Sequence, residues 1–185
     1  SGALEANDEA RFHTRSGLLT ARRSDGWIEM DFPAKIARPV EAPPGLVEAL
    51  GVRAIAVARN QFDHLVEVST AGEVTAAEPD MTRLRAAGGR GVILTARSTS
   101  GEADFVSRFF APAVGVDEDP VTGSAHCALA PYWCERLGRS DLVGFQASAR
   151  GGTVRVRWTG GDRVRLEGQA VTVLRCELIE NTEVD

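Results

Sequence analysis

The chain is short of lysine, cysteine and long apolar runs, and each shortage removes a class of function. Lys35 is the lone lysine among 21 basic residues; the rest are arginines scattered along the chain, and the bias itself says nothing about mechanism. With that dispersal and a net charge of −5, no basic patch for nucleic acid or an anionic membrane is built. Cys127, Cys134 and Cys176 are an odd set, two of them on an apolar helical stretch, and read as reduced, buried thiols. They and His13, His64 and His126 lack the paired spacing of a zinc site, so no metal is expected. No apolar run approaches a membrane span, and the first residues lack the basic and apolar regions of a signal peptide, so a cytoplasmic protein with no membrane partner is expected. What remains is a chain of 185 residues, 43% hydrophobic and 25% charged, enough for one full domain or two small ones.

Residues 1–11 are small and polar and read as a tag remnant or frayed lead-in. Residues 12–22 and 27–32 carry strand alternation around the turn Ser24-Asp25-Gly26. Pro33, Pro39, Pro43 and Pro44 break regular structure, so residues 34–45 read as a crossing between domains. A short helix over 46–50, strands over 53–59 and 64–69, a helix from Asp80 to Ala87 and an apolar strand over 91–96 follow. Residues 104–110 alternate, with Phe105, Ser107 and Phe109 on one face and Val106, Arg108 and Phe110 on the other. After a helix over 121–137 that Gly138 ends, strands are expected over 143–149, 153–158, 163–167 and 170–176, joined by glycine turns. The hairpin after Phe12-x-Thr14-x-Ser16-Gly17 loosely parallels the one after Phe145-x-Ala147-Ser148-x-x-Gly151, an internal repeat.

The stretch richest in chemistry is Asp117-Glu118-Asp119-Pro120-Val121-Thr122-Gly123-Ser124, an acidic loop running into the helix 121–137. Small residues at a helix start expose free N–H groups, and such an end attracts anions. The apolar residues of this helix cover every face, so it should be enclosed by other structure. Pro131 should deprive the Cys127 carbonyl of its helical partner and bend the helix. Asp119 and Ser124 each have a plain reading as helix caps. A hydrolase triad of Asp119, Ser124 and His126 is excluded by direction, because residues two apart on a helix point to nearly opposite sides. The run lacks the lysine of a phosphate-binding loop. Arg108 could pair with Asp104 or Glu118, and Arg150-Gly151-Gly152 is a tight turn at a pocket edge.

Asp119-Pro120-Val121-Thr122-Gly123-Ser124-Ala125-His126, preceded by Asp104-Phe105-Val106-Ser107-Arg108-Phe109-Phe110-Ala111-Pro112 and followed by Gln146-Ala147-Ser148-Ala149-Arg150-Gly151-Gly152, resembles the PhzF-like isomerase family of phenazine biosynthesis. The likeness runs from about residue 12 to 178. It implies an α+β fold of the diaminopimelate-epimerase kind, in which strands wrap a buried central helix. Residues 45–178 would form one complete domain, 1–44 the tail of a first domain and 179–185 a terminal tail. The family chemistry is cofactor-independent acid/base proton transfer. The resemblance implies Asp119 as an acid/base group and Ser124 as a hydrogen-bonding partner of the substrate, with the backbone N–H groups of Gly123, Ser124 and Ala125 holding a substrate carboxylate; Arg108 is a substrate-binding candidate from its place next to the loop. It also implies a Gly-His motif and an Asn-x-Ser-Glu motif whose glutamate transfers protons, and neither occurs here. The expected partners are therefore a small carboxylate substrate and either a missing N-terminal segment or a second copy in a homodimer. The alternative is a non-catalytic anion-binding or interaction module on the same fold.

Overall fold

A two-residue loop of type I′ matches the strand twist with positive φ at both positions, and Asp25 (φ 48°) and Gly26 (φ 79°) supply it. They join β2 (Gly17–Ser24) to β3 (Trp27–Pro33), as the turn signal predicts. The computed structural model describes residues 9–14, 17–174 and 176. The strand expected over 12–22 is instead two antiparallel strands, β1 (Glu9–Thr14) and β2, so residues 9–11 belong to the sheet rather than to a frayed lead-in. Ser16, one residue of the first unit of the proposed repeat, lies outside the described residues.

β3 pairs with β12 (Arg163–Gly168), which continues through β11 (Gly152–Arg157) and β10 (Asp141–Gln146) to β8 (Phe105–Ala111). The sheet then runs through β7 (Gly91–Arg97), β6 (Asp63–Glu67) and β5 (Ala56–Arg59) to β4 (Arg38–Pro39), with β9 (Val116–Glu118) added beside β8. Among the described residues only the β8–β10 and β6–β7 pairs are parallel. The hairpin assigned above to a first-domain tail thus hydrogen-bonds directly into the rest, and the sheet alone draws no boundary near residue 44.

The sheet has an apolar layer on each side. On one face α4 (Gly123–Leu137) is enclosed: residues from Ala125 through Cys134 are all buried, and Ala128 and Leu129 have no exposed surface. Trp133 stacks on Phe105 at 6.0 Å between ring centroids and donates its indole N–H to Thr95 Oγ1 (3.0 Å), so the one polar atom of a large buried ring is satisfied. Each large apolar side chain so enclosed stabilises the fold by about 1.5–3 kcal/mol. The carbonyl that Pro131 strands is met from outside the helix, because the backbone N–H of Lys35 donates to Cys127 O (2.9 Å). Gly138 ends the helix in the left-handed region (φ 65°).

On the other face lie three short helices, α1 (Leu46–Leu50), α2 (Ala71–Ala76) and α3 (Met81–Ala86), with Val66, Leu94, Val106 and Phe110 from the sheet. α1 falls where expected, and α3 is capped by Asp80, whose Oδ1 accepts from Arg83 N (3.0 Å). α2 was missed, although Thr70-x-x-Glu73 is a capping-box sequence: Thr70 Oγ1 accepts from Glu73 N while Glu73 Oε2 accepts from Thr70 N. The strand expected over 170–176 is absent among the described residues, where positions 169–174 and 176 carry no regular element. β12, which it would follow, is already flanked by β3 and β11, and no free edge adjoins it. Cys176 is accordingly exposed, unlike Cys127 and Cys134.

Candidate active site

The loop between β8 and α4 is held by backbone bonds at its start and by side chains at its end. β8 finishes at Ala111, a 3₁₀ turn (Pro112–Val114) and Gly115 (φ 84°) reverse the chain, and β9 returns along β8. Asp119 N then donates to Phe109 O (3.0 Å). From β10, Gln146 closes the turn that follows. Its Oε1 accepts from Thr122 N (2.8 Å), and its Nε2 donates to Asp119 O (2.6 Å) and Thr122 Oγ1 (3.2 Å). Ser148 Oγ donates to Pro120 O (2.7 Å) and accepts from Gly151 N (3.0 Å). Gly151, at φ 69°, turns the chain as expected, and Gly152 packs so close to Val121 that any Cβ would overlap the valine methyl.

These contacts present the α4 N-terminus without a side-chain cap. Thr122 occupies the N-cap position in extended geometry (φ −110°) and turns its hydroxyl to the carboxylate of Asp119. Asp119 therefore does not cap the helix, and it stands half-buried on the approach to it. Among the described residues, the backbone N–H groups of Gly123, Ser124 and Ala125 have no hydrogen-bond acceptor. Unsatisfied N–H groups at the positive end of a fifteen-residue helix form a place for an anion. Phe32 of β3 and Leu166 of β12 wall this end beside Gly123.

Sequence reasoning missed the groups that reach this end from the sheet. Arg90, just before β7, donates from Nε and Nη2 to the two carboxylate oxygens of Asp63 (2.9 and 2.6 Å), and Nη2 also reaches Ser124 Oγ (3.0 Å). Asp63 is 1% exposed, and its hydrogen bond holds the guanidinium pKa above its ordinary value. Gln146 was legible in one respect: it follows Leu142 and Gly144 at inward positions, and a polar residue at a buried position announces a partner.

Arg108 has a different place. Val106 and Phe110, its neighbours on the same strand face, belong to the α1–α3 side of the sheet, while Phe105 and Phe109 face α4. Its guanidinium grips Glu118 through Nε (2.7 Å) and Nη2 (2.9 Å) and donates from Nη1 to Ala77 O (2.6 Å). All three nitrogens are engaged in joining β8, β9 and α2, and Arg90 is the arginine beside Ser124. Of the two carboxylates expected for it, Glu118 is the partner, and Asp104 pairs with Arg139. His126 is fully enclosed. Burial pushes its pKa down to about 4, and Nδ1 lies 2.8 Å from Thr122 O. Ser124 and His126 thus turn to different partners, as the argument against a triad requires. Burial likewise pushes the Cys127 thiol up to about 12, which leaves it an inert core group. Among the described residues no helix is long and apolar enough to cross a membrane.

A mixed sheet curled about one buried helix, with an acid-bearing loop at the open end of that helix, defines an epimerase-like fold. The chain belongs to the PhzC-PhzF family, described as phenazine biosynthesis-like protein, which it matches over residues 2–176. An uncharacterized isomerase of Halalkalibacterium halodurans is 46% identical over 177 residues, covering 95% of this chain and 66% of its own length. A human phenazine biosynthesis-like domain-containing protein is 35% identical, covering 91% and 64%. The crystal structure of a PhzF-family protein from Enterococcus faecalis superposes with a TM-score of 0.82 at 33% identity, over 89% of this chain and 62% of that one. A predicted epimerase of Pseudomonas aeruginosa shares the fold, with a TM-score of 0.67 at 22% identity. The chain spans slightly under two thirds of the length of the curated relatives it matches.

Proposed function

We propose that this chain supplies an acid/base group and the carboxylate-binding helix end of an isomerase that moves protons on a small carboxylate-bearing metabolite without a cofactor. The observation that carries the reading is the row of unpartnered N–H groups at Gly123, Ser124 and Ala125, directly after the turn that holds Asp119. A substrate carboxylate resting on those N–H groups replaces water with fixed donors and meets the positive end of the helix. The Ser124 hydroxyl adds a side-chain donor. Asp119 then gives or takes a proton at a nearby carbon, and the Thr122 hydroxyl on its carboxylate fixes the orientation of the group. The opposing acid/base group is assigned, by family resemblance, to the Asn-x-Ser-Glu glutamate, a motif absent from this sequence.

Asp119→Asn, made in a protein of the relatives' full length, should lower the rate of proton exchange on the order of a hundredfold while carboxylate affinity stays nearly unchanged. Solvent-deuterium incorporation into the bound metabolite measures the first, and chemical-shift titration of the 123–125 amides measures the second. Exchange by the present chain alone would show that the essential base lies within it and overturn the assignment to the glutamate. Binding without exchange in the longer protein would leave only a carboxylate-binding module.

A further inference from the structure

Asp63 opens β6 and Gly91 opens β7, and because these strands are parallel and register Asp63 against Gly91, Arg90 emerges at the same end of the sheet as Asp63. A carboxylate as enclosed as that of Asp63 needs a fixed cation. Arg90 provides it with two parallel bonds, and the guanidinium lies 5.3 Å from the ring centroid of Phe62 and 5.7 Å from that of Phe109. The backbone is fastened as well: Arg90 N donates to Phe62 O (2.9 Å), and Asn60 Oδ1 accepts from Phe62 N and Asp63 N. The third bond of this rigid group, 3.0 Å from Nη2 to Ser124 Oγ, crosses from the sheet to the first turn of α4.

That bond has a directional consequence. A serine hydroxyl carries one hydrogen and two acceptor sites, whereas a guanidinium can only donate. Ser124 must therefore accept from Arg90, and its own hydrogen is directed elsewhere. Among the described residues no protein acceptor takes that hydrogen. Donation by a cation also polarises the hydroxyl and makes it a stronger donor.

We propose that Arg90, clamped by Asp63, is a positioning residue that makes Ser124 a one-way hydrogen-bond donor and so selects a deprotonated carboxylate over a carboxamide at the α4 N-terminus. The inference rests on the carboxylate-binding reading of that helix end. The polar groups of the helix end itself then all donate: three backbone N–H groups and one oriented hydroxyl. An amide NH₂ placed there would meet donors only, while both oxygens of a carboxylate are accepted. Arg90 acts through Ser124 and through the charge one bond behind it.

The test is a titration of the ¹⁵N-labelled chain with acetate and with acetamide at constant ionic strength, followed at the Gly123, Ser124 and Ala125 amides. The wild type should bind acetate more tightly than acetamide. Arg90→Lys keeps a cation beside Asp63 and so protects the fold, but a lysine has no second arm fixed on Ser124. It should weaken acetate by about fivefold to tenfold, the worth of one ordinary hydrogen bond, and narrow the gap to acetamide. Ser124→Ala should do the same, and Arg90→Lys added to Ser124→Ala should weaken binding no further. An equal loss from Arg90→Lys in both backgrounds would show that Arg90 acts through its charge or the fold and overturn the proposal, as would an unchanged preference for acetate. If acetate leaves the three wild-type amides unmoved, the binding reading of the helix end falls first and this inference with it.

Discussion

Replacing Gln146 separates the hydrogen-bonding work of its amide from its bulk. The side chain has no exposed surface and joins two backbone groups of the Asp119–Thr122 turn, accepting from Thr122 N and donating to Asp119 O. Gln146→Leu fills a similar volume but leaves both groups unpaired. An unsatisfied buried group costs about 1–3 kcal/mol. Thr122 is buried, whereas Asp119 is half-buried and its carbonyl can turn to water, so the loss should total about 2–4 kcal/mol. Gln146→Glu gives a sharper answer. Its ionised carboxylate can still accept from Thr122 N, but the second oxygen would face the Asp119 carbonyl with no hydrogen between them. Protonation restores that hydrogen, so the folded state raises the pKa of the new glutamate. The folded variant then binds a proton that the unfolded chain has released, and its stability falls as pH rises from the ordinary glutamate pKa through the raised value. Urea unfolding at pH 5 and pH 7.5 should therefore show a deficit against wild type that is larger at the higher pH. A deficit independent of pH, or below about 0.5 kcal/mol for both variants, would refute the account of Gln146 as the fastening of the Asp119–Thr122 turn.

Gly152→Ala should cost about 1–3 kcal/mol by overpacking, because its Cβ would overlap Val121; thermal melts should show partial rescue when Val121→Ala is added, and equal losses with and without the second change would reject the contact. His126, held to about 4 by burial, refuses a proton that the unfolded chain accepts below its ordinary 6.5. Its contribution is thus intact above pH 6.5 and is lost as pH falls toward 4, by up to about 3 kcal/mol over that window. His126→Gln should flatten the dependence of stability on pH across the same window, and an unchanged slope would show that other groups set it.

What could be read from sequence was whatever repeats locally. An apolar residue on every face announced α4 as the enclosed helix, Asp80 announced the cap of α3, and Asp25-Gly26 announced the hairpin. The Thr70-x-x-Glu73 box was equally local, and α2 was still missed because it offers only one buried side chain, Val74, and so no periodic stripe. The expected strand near residue 173 shows the converse failure: alternation supplies a face, but the sheet must also supply an edge. The site divides in the same way. Asp119 and Ser124 stand in one short motif and were legible together. Arg90 lies 34 residues from Ser124 and 27 from Asp63, and no spacing rule joins groups that meet only after β6 and β7 have paired. Arg108 drew notice through its place in sequence beside the loop, yet strand alternation put it on the face turned away from α4.

The bond from Lys35 N to the Cys127 carbonyl gives the central helix a dependence in time as well as in space. Proline leaves α4 one bond short of a complete ladder, and the missing donor comes from the segment between β3 and β4, remote in sequence. Such a bond forms only after a long loop has closed, and the entropy of closure must be met before the contact returns any stability. A peptide spanning α4 alone would hold an open carbonyl at its centre. In the whole chain, the helix reaches its final form only when the crossing segment docks. A contact formed after the transition state acts on unfolding alone, and on that expectation weakening the docked segment should leave the folding rate almost unchanged and speed unfolding.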